Sequence, residues 1–281
     1  MRTVLITGAS RGIGRACVHA FAGAGWRVVA GVRDPATAGT AFAGLTDVHP
    51  VTLDVTDAER IPVAVREAQD IAGGALACVV PNAGFAQMSP AEHVDLDVTR
   101  LMFETNLFGH VTLMQHALPA MREAGSGSVV CVTSIGARVV HPLLSMYHAS
   151  KYAMTAWAEG MRVELRPFGL RVHVVEPGMV DTEFPAATRV NGPMLAGEGP
   201  YAPLLDQMRV SFPAWRAREG LGPGEVAAAV LRAAEDPAAP FRIVSGSEAE
   251  RLGAARERLG DEAFHDWLLD FLGVRWEPGS A

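Results

Sequence analysis

The sequence predicts an α/β fold with a doubly wound parallel sheet, and three features carry that expectation. Short apolar strand-like runs alternate with amphipathic helical stretches through most of the chain. A glycine-rich turn follows the first run and opens the first helical stretch. No internal repeat or charge-rich linker interrupts the alternation, so one domain over 1–281 is expected rather than two. Strands joined by helices imply right-handed crossovers and a parallel sheet buried on both faces.

The elements follow in order. Thr3–Thr7 is the first strand, and a helix runs from Gly12 to about Ala24. Arg27–Val32, Val51–Leu53, Ala75–Pro81, Ser128–Thr133 and Leu170–Val175 read as further strands, with Phe241–Val244 as the last. Helices are expected over Asp57–Ala72, Val98–Glu123, Ser145–Arg166 and Gly224–Glu235. The segment 185–224 carries many prolines and glycines and reads as an irregular substrate-binding insertion, a candidate lid. A helical C-terminal extension, about 245–281, is expected over Glu248–Arg258 and Asp261–Leu272.

Composition narrows the function. The chain has 281 residues with 24 basic against 31 acidic side chains, a net charge of −7, which argues against a general nucleic-acid binder. At 49% hydrophobic and 20% charged it is not a disordered chain. Cys17, Cys78 and Cys131 are an odd number in apolar stretches, which predicts buried free thiols in a reducing compartment. No run approaches the ~20 apolar residues of a membrane span, and the start lacks a secretory leader pattern, so a cytoplasmic protein is expected. The nine histidines form no His-Glu-x-x-His pattern and the cysteines no Cys-x-x-Cys, so no metal is expected.

Thr7-Gly8-Ala9-Ser10-Arg11-Gly12-Ile13-Gly14 has the Gly-x3-Gly-x-Gly spacing between a strand and a helix. Such glycines let the backbone approach a pyrophosphate held at the helix N-terminus; the alternative is a tight turn alone. At the end of the second strand, where an NAD site places an acid for the ribose 2′-hydroxyl, the chain has Val32 and then Arg33. With Arg11, Arg33 can clamp a 2′-phosphate, which favours NADP(H) over NAD(H). Asp34 keeps open the other role, with Arg33 as a solvated turn residue.

Ser134 ends a strand, and Tyr147 and Lys151 stand four apart on one helix face. Of 24 basic residues Lys151 is the sole lysine, so its position invites a role for a compact ammonium. A phenol is a poor base near neutrality, and an ammonium beside it with a nicotinamide cation would lower its pKa. Ser134 can donate to a reacting oxygen. The alternative is an exposed Tyr–Lys pair.

The ordered set Thr7–Gly14, Asp54-Val55, Asn82-Ala83-Gly84, Asn106, Ser134, Tyr147-x-x-x-Lys151 and Pro177-Gly178 resembles the short-chain dehydrogenase/reductase family, in its single-domain, Rossmann-like branch. The resemblance implies that Ser134 polarises a carbonyl, Tyr147 is the general acid/base, Lys151 lowers its pKa and binds the nicotinamide ribose, and Asn106 holds a relay water. It further implies that Gly8, Ser10, Arg11, Gly12, Ile13, Gly14, Arg33, Asp54, Val55, Asn82, Ala83 and Gly84 line the adenosine and pyrophosphate. Pro177, Gly178, Val180 and Thr182 would surround the nicotinamide with Tyr147 and Lys151. Two departures stand out. Pro81 replaces the family's usual Asn, at a strand end where its missing N–H is tolerable. The C-terminal part resembles hydroxysteroid- and retinol-dehydrogenase-like members rather than the tetramer-closing type, so a homodimer is expected, with monomer or tetramer as alternatives.

Phe85, His141, Met179 and Phe184 are candidate substrate contacts, and Met88, Val139, Met194, Leu195, Tyr201 and Phe212 candidate pocket walls, with Arg138 and Arg189 as charged exceptions. Such a surface suits a lipophilic ketone; the alternative is that these residues cover the core. His148, about 100° around the helix from Tyr147, reads as packing. The expected function is NADP(H)-dependent hydride transfer on a small-molecule carbonyl or secondary alcohol. The alternatives are a polyketide-type or secondary-metabolite ketoreductase on the same site, and a catalytically silent NADP(H) sensor.

Overall fold

The computed structural model describes residues 1–190 and 198–276. Seven strands form one parallel sheet, in the order β3-β2-β1-β4-β6-β7-β9. They are β1 Thr3–Thr7, β2 Arg27–Val32, β3 Val48–Thr52, β4 Cys78–Val80, β6 Gly127–Val132, β7 Leu170–Pro177 and β9 Arg242–Ser245. Leu5 of β1 sits beside Val29 of β2 on one side and Val79 of β4 on the other. The chain order therefore reverses at β1, and the crevice outside the strand ends there is where doubly wound sheets bind ligands.

Helices cover both faces. One face packs against α1 Gly12–Gly23 and α9 Pro223–Glu235, through Cys17, Phe21, Val226 and Val230. The other packs against α3 Arg60–Ala72, α5 Gly109–Ala124 and α6 Ser145–Leu165, through Ile61, Leu113, Met121, Met154 and Met161. Strands buried on both faces must be apolar throughout, which is why Val-Leu-Ile and Val-Val-Cys runs form them. Cys17, Cys78 and Cys131 are all buried free thiols, and burial pushes their pKa values up. No helix among the described residues is long and apolar enough to cross a membrane.

Three local differences from the sequence expectation have physical causes. The helix expected over Val98–Glu123 is interrupted: α4 spans Leu96–Phe103, a π-turn spans Glu104–Phe108, and α5 follows. The Asn106 side chain inside that turn is claimed by other segments, described below. The segment 185–224 is more regular than its prolines suggest. After the short helix α7 Phe184–Ala187 and the strand β8 Arg189–Val190, Ala202–Glu219 forms the 18-residue helix α8, with Pro203 near its start and Pro213 within it. Strand β8 pairs with β5 Gln87–Met88, a two-stranded sheet too short to read from periodicity. Helix α8 packs with the C-terminal helices α10 Ser247–Arg258 and α11 Asp261–Leu272 in a third apolar cluster, through Leu205, Met208, Leu252, Phe264 and Leu268. A short helix, α2 Pro35–Ala38, follows β2.

Candidate functional site

A cleft of about 1350 Å³ opens at the carboxyl ends of the strands, across the point where the order reverses. At the end of β1 the chain turns through Gly8 in the left-handed region, φ +64°. Gly14, in the first turn of α1, lies so close to this turn that an added Cβ would overlap the Gly8 carbonyl. Arg11 stands at the N-cap of α1 without a side-chain cap, so the first-turn N–H groups remain for a ligand. Thr7 Oγ1 accepts N–H bonds from Asn82 (2.9 Å) and Ala83 (3.0 Å), and Asn82 Nδ2 donates to the Thr7 carbonyl at 2.8 Å. Asn82-Ala83-Gly84 is thus stapled to the glycine turn. Pro81 sits just past β4, where the register would have an N–H donate to the Thr7 carbonyl; the Asn82 side-chain amide meets that carbonyl instead.

Ser10, Arg11, Gly12, Ile13, Arg33, Asp54, Val55 and Gly84 line this cleft, with Gly84 close to Lys151 and Asn106. Arg11 and Arg33 are both exposed. Asp34 accepts the Ala36 N–H at 2.9 Å, a local cap on α2. Asp54 Oδ1 accepts from the backbone and hydroxyl of Thr56, at 2.9 and 2.8 Å. Pro177, the last residue of β7, and Gly178, Val180 and Thr182 beyond it also line the cleft, with Thr182 close to Gly12. Arg216 of α8 pairs with Asp181 and reaches the Thr182 carbonyl at 3.3 Å, tying α8 to that segment. A turn with uncapped donors and no room for a side chain fits a pyrophosphate, and the cleft is large enough for a dinucleotide beside a small substrate.

Ser134 follows β6, and Tyr147 and Lys151 lie one turn apart on α6; all three line the cleft. Ser134 Oγ accepts the Gly136 N–H at 3.0 Å and hydrogen-bonds the Tyr147 hydroxyl. Lys151 Nζ donates to the Val132 carbonyl at 3.2 Å, and burial lowers its pKa to about 8. The expectation of a lowered phenol needs correction for the protein by itself. Burial pushes the Tyr147 hydroxyl up, opposed by the Ser134 hydrogen bond, so Tyr147 is held protonated.

Asn106 is the member of the expected set that lies behind the cleft wall. Its Oδ1 accepts the Phe85 N–H at 3.0 Å, and its Nδ2 donates to the Phe85 carbonyl (3.0 Å) and Ser150 Oγ (2.9 Å). The side chain is spent on joining the π-turn to the loop that holds Phe85 and to α6. Behind it lies a residue that the sequence did not single out. His110 Nε2 is 3.1 Å from Thr7 Oγ1, and its Nδ1 is 3.4 Å from the Asn106 carbonyl. Thr7 Oγ1 already accepts two N–H groups, so its proton points to His110 Nε2, and Nδ1 carries the imidazole proton. Burial, with the Lys151 charge, lowers the His110 pKa to about 3, so the ring is neutral. Spacing gives no signal for this bridge; a buried His four residues after Asn106 is a packing position on any helix.

The substrate candidates divide. Phe85, Met88, His141, Met179, Phe184, Arg189 and Phe212 line the cleft, and the Phe184 and Tyr147 ring centroids are 5.8 Å apart. Tyr201 instead stacks on Trp276 outside the cleft (6.4 Å). Val139 packs in the cluster of α8, α10 and α11. Arg138 pairs with Glu176 and Glu257 rather than facing the cleft. These three are corrections: each is drawn away by a better partner, an aromatic face, an apolar cluster or a carboxylate. Met194 and Leu195 lie outside the described residues. His148 packs as expected, its Nδ1 2.9 Å from the Gly136 carbonyl and its Nε2 accepting the His141 N–H at 3.0 Å. Trp215 and Glu248 also line the cleft and were not expected from sequence.

Comparison with known proteins agrees with this geometry. The family sequence model described as short chain dehydrogenase matches residues 2–191. Oxidoreductase BOA17 of Botryotinia fuckeliana is 32% identical over 269 residues, covering 94% of this chain and 97% of that protein. A short-chain dehydrogenase structure from Streptomyces avermitilis superposes with a TM-score of 0.82 at 30% identity, covering 98% of each chain. Another, from Burkholderia cenocepacia in complex with NADP, gives 0.72 at 29% identity, covering 96% of this chain and 99% of that one. With the glycine turn, the strand order and the Ser–Tyr–Lys arrangement, these matches make the chain a member of the short-chain dehydrogenase/reductase family, oxidoreductases that bind a nicotinamide cofactor and act on CH–OH and C=O groups.

Proposed function

We propose that this protein is an NADP(H)-dependent ketoreductase acting on a lipophilic carbonyl compound. The observation that carries the reading is one continuous cleft. It joins a pyrophosphate-type glycine turn, two arginines at the adenosine end, and Ser134, Tyr147 and Lys151 at the other. The preference for NADP(H) rests on Arg11 and Arg33 at the cleft, with Asp34 capping α2 rather than standing free to meet a ribose. The NADP complex of the Burkholderia relative supports the same preference.

When bound, the nicotinamide supplies or accepts the hydride. In the reducing direction Ser134 Oγ donates to the carbonyl oxygen, and Tyr147 gives that oxygen its proton. Burial suits Tyr147 to the donor role, because it keeps the hydroxyl protonated until a charge develops beside it. The Lys151 ammonium steadies that charge. Asn106 acts by position: its amide fixes Phe85 and Ser150, and its backbone carbonyl lies 3.4 Å from His110 Nδ1. The reaction is enclosed by Phe85, Met179, Phe184 and Phe212, whose apolar surfaces favour a lipophilic substrate. The exposed Val163 and Phe168 around the end of α6 support a homodimer, which a monomer mass by sedimentation would exclude.

The test follows reduced-nicotinamide absorbance with NADPH and NADH separately, against lipophilic ketones and aldehydes. Consumption with NADPH at much lower cofactor concentration than with NADH is expected. Equal use of both cofactors would remove the arginine argument. Tight NADPH binding without turnover of any carbonyl would favour the silent sensor.

A further inference from the structure

The cleft is lined largely by apolar side chains, yet three of its lining residues, His141, Trp215 and Glu248, each carry a buried polar atom without a protein partner among the described residues, and the first two are neighbours. Neither His141 Nε2 nor Trp215 Nε1 has a hydrogen-bond partner among the described residues. The two residues are only 6% and 4% exposed, and both line the cleft. Their ring centroids are 5.3 Å apart. Buried donors and acceptors are almost always paired in native proteins, so two neighbouring exceptions on a ligand cleft call for a cause.

Both groups are held firmly. The His141 backbone N–H donates to His148 Nε2 at 3.0 Å, and the Ser89 N–H donates to the Leu143 carbonyl at 2.8 Å. Leu143 itself takes a left-handed φ of 65°, a conformation that a leucine adopts only where its surroundings impose it. Trp215 stands between Phe212, stacked at 5.9 Å, and Phe271, edge-on at 6.1 Å. The pair is also near the chemistry: the rings of Tyr147, His148 and His141 follow one another at 5.5 and 5.2 Å. An indole offers a donor only, and a neutral imidazole one donor and one acceptor. Burial lowers the His141 pKa to about 3, so the pair is uncharged and does not match a carboxylate or phosphate.

We propose that His141 and Trp215 anchor an uncharged second oxygen of the substrate, a hydroxyl or carbonyl several bonds from the reacting carbonyl. This rests on the ketoreductase reading of the same cleft. It refines the substrate from a lipophilic ketone to an oxygenated one. A substrate without that oxygen leaves both groups unpaired, and sites built around a hydrogen bond reject such analogues strongly.

The experiment compares alkan-2-ones with ω-hydroxyalkan-2-ones of matched chain length. At one or more lengths the hydroxylated ketone is expected to have a kcat/KM at least about tenfold higher than its match. Trp215→Phe and His141→Phe, each checked for folding by circular dichroism, are expected to bring that ratio toward one. Calorimetric binding of the same ketones to the protein–NADP+ complex makes the comparison without turnover. A ratio near one at every length in both assays would overturn the anchor, as would an unchanged ratio in both variants. Preferential binding of hydroxyketones, lost in the variants but without reduction of any ketone, would overturn the ketoreductase reading and leave the anchor standing.

Discussion

The two ends of the cleft are built from different materials. At the cofactor end the walls are largely backbone: the turn through Gly8, the close approach of Gly14, and Asn82-Ala83-Gly84 stapled through Thr7. At the substrate end the walls are side chains from distant segments: Phe85 and Met88, the loop holding His141, and Phe212 and Trp215 of α8. Helices α10 and α11 back that end through a separate apolar cluster. Backbone geometry tolerates few residue types, so changes at the first end should act as losses of function. A wall of packed side chains can be remodelled, so changes at the second should act on selectivity.

Five variants or measurements can sharpen or break that contrast. Tyr147→Phe, at the junction of the two ends, is expected to lower kcat by about 10²- to 10⁴-fold while cofactor affinity stays within a few-fold. Stopped-flow turnover and fluorescence titration check the two parts, and near-normal turnover would remove Tyr147 from the proton transfer. Gly14→Ala is expected to weaken NADPH binding by roughly 10- to 100-fold, since overpacking at a fixed backbone costs about 1–3 kcal/mol. Affinity unchanged in titration would mean that the turn yields, against the rigid-backbone picture. Arg33→Ala is expected to weaken NADPH by about tenfold, the scale of a charge-assisted hydrogen bond, and NADH much less. Equal weakening of both would place Arg33 outside the cofactor preference.

His110→Phe tests the bridge beneath both ends. The ring's folded pKa of about 3 lies below its ordinary value of 6.5. Between these values the unfolded chain binds the extra proton, so the stability due to neutral His110 is complete above about 6.5 and is lost as pH falls toward 3. Relative to wild type, the variant should therefore show a shallower decline of Tm with acidification over that window, together with lower kcat. Parallel Tm profiles would contradict a buried neutral ring. The smallest effect is expected in α8, whose amides should gain modest hydrogen-exchange protection when cofactor and ketone bind. Unchanged protection there would mean that α8 is a fixed wall rather than a lid.

How much could be read beforehand follows the same division. The sheet was legible because strands buried on both faces must be apolar, as in Thr3–Thr7 and Gly127–Val132. The glycine turn and the Tyr147–Lys151 pair were legible because each needs fixed residue types at a fixed spacing. The π-turn at Glu104–Phe108 was not, because it arises from bonds that Asn106 makes to Phe85 and Ser150, far away in sequence. Helix α8 was hidden by Pro203 and Pro213, although a proline in the first turn is compatible with a helix. Trp215 and His141 meet only because α8 folds back over the loop before α6, so their pairing had no local signature.

The most direct test of hydride transfer in this cleft uses NADPH deuterated at the transferring nicotinamide carbon, with mass spectrometry of the alcohol formed from a lipophilic ketone. The expected result is one deuterium on the new carbinol carbon in wild type, and almost no labelled alcohol with Tyr147→Phe. Oxidation of NADPH with no deuterium in the alcohol, or full labelling by the Tyr147→Phe variant, would contradict it.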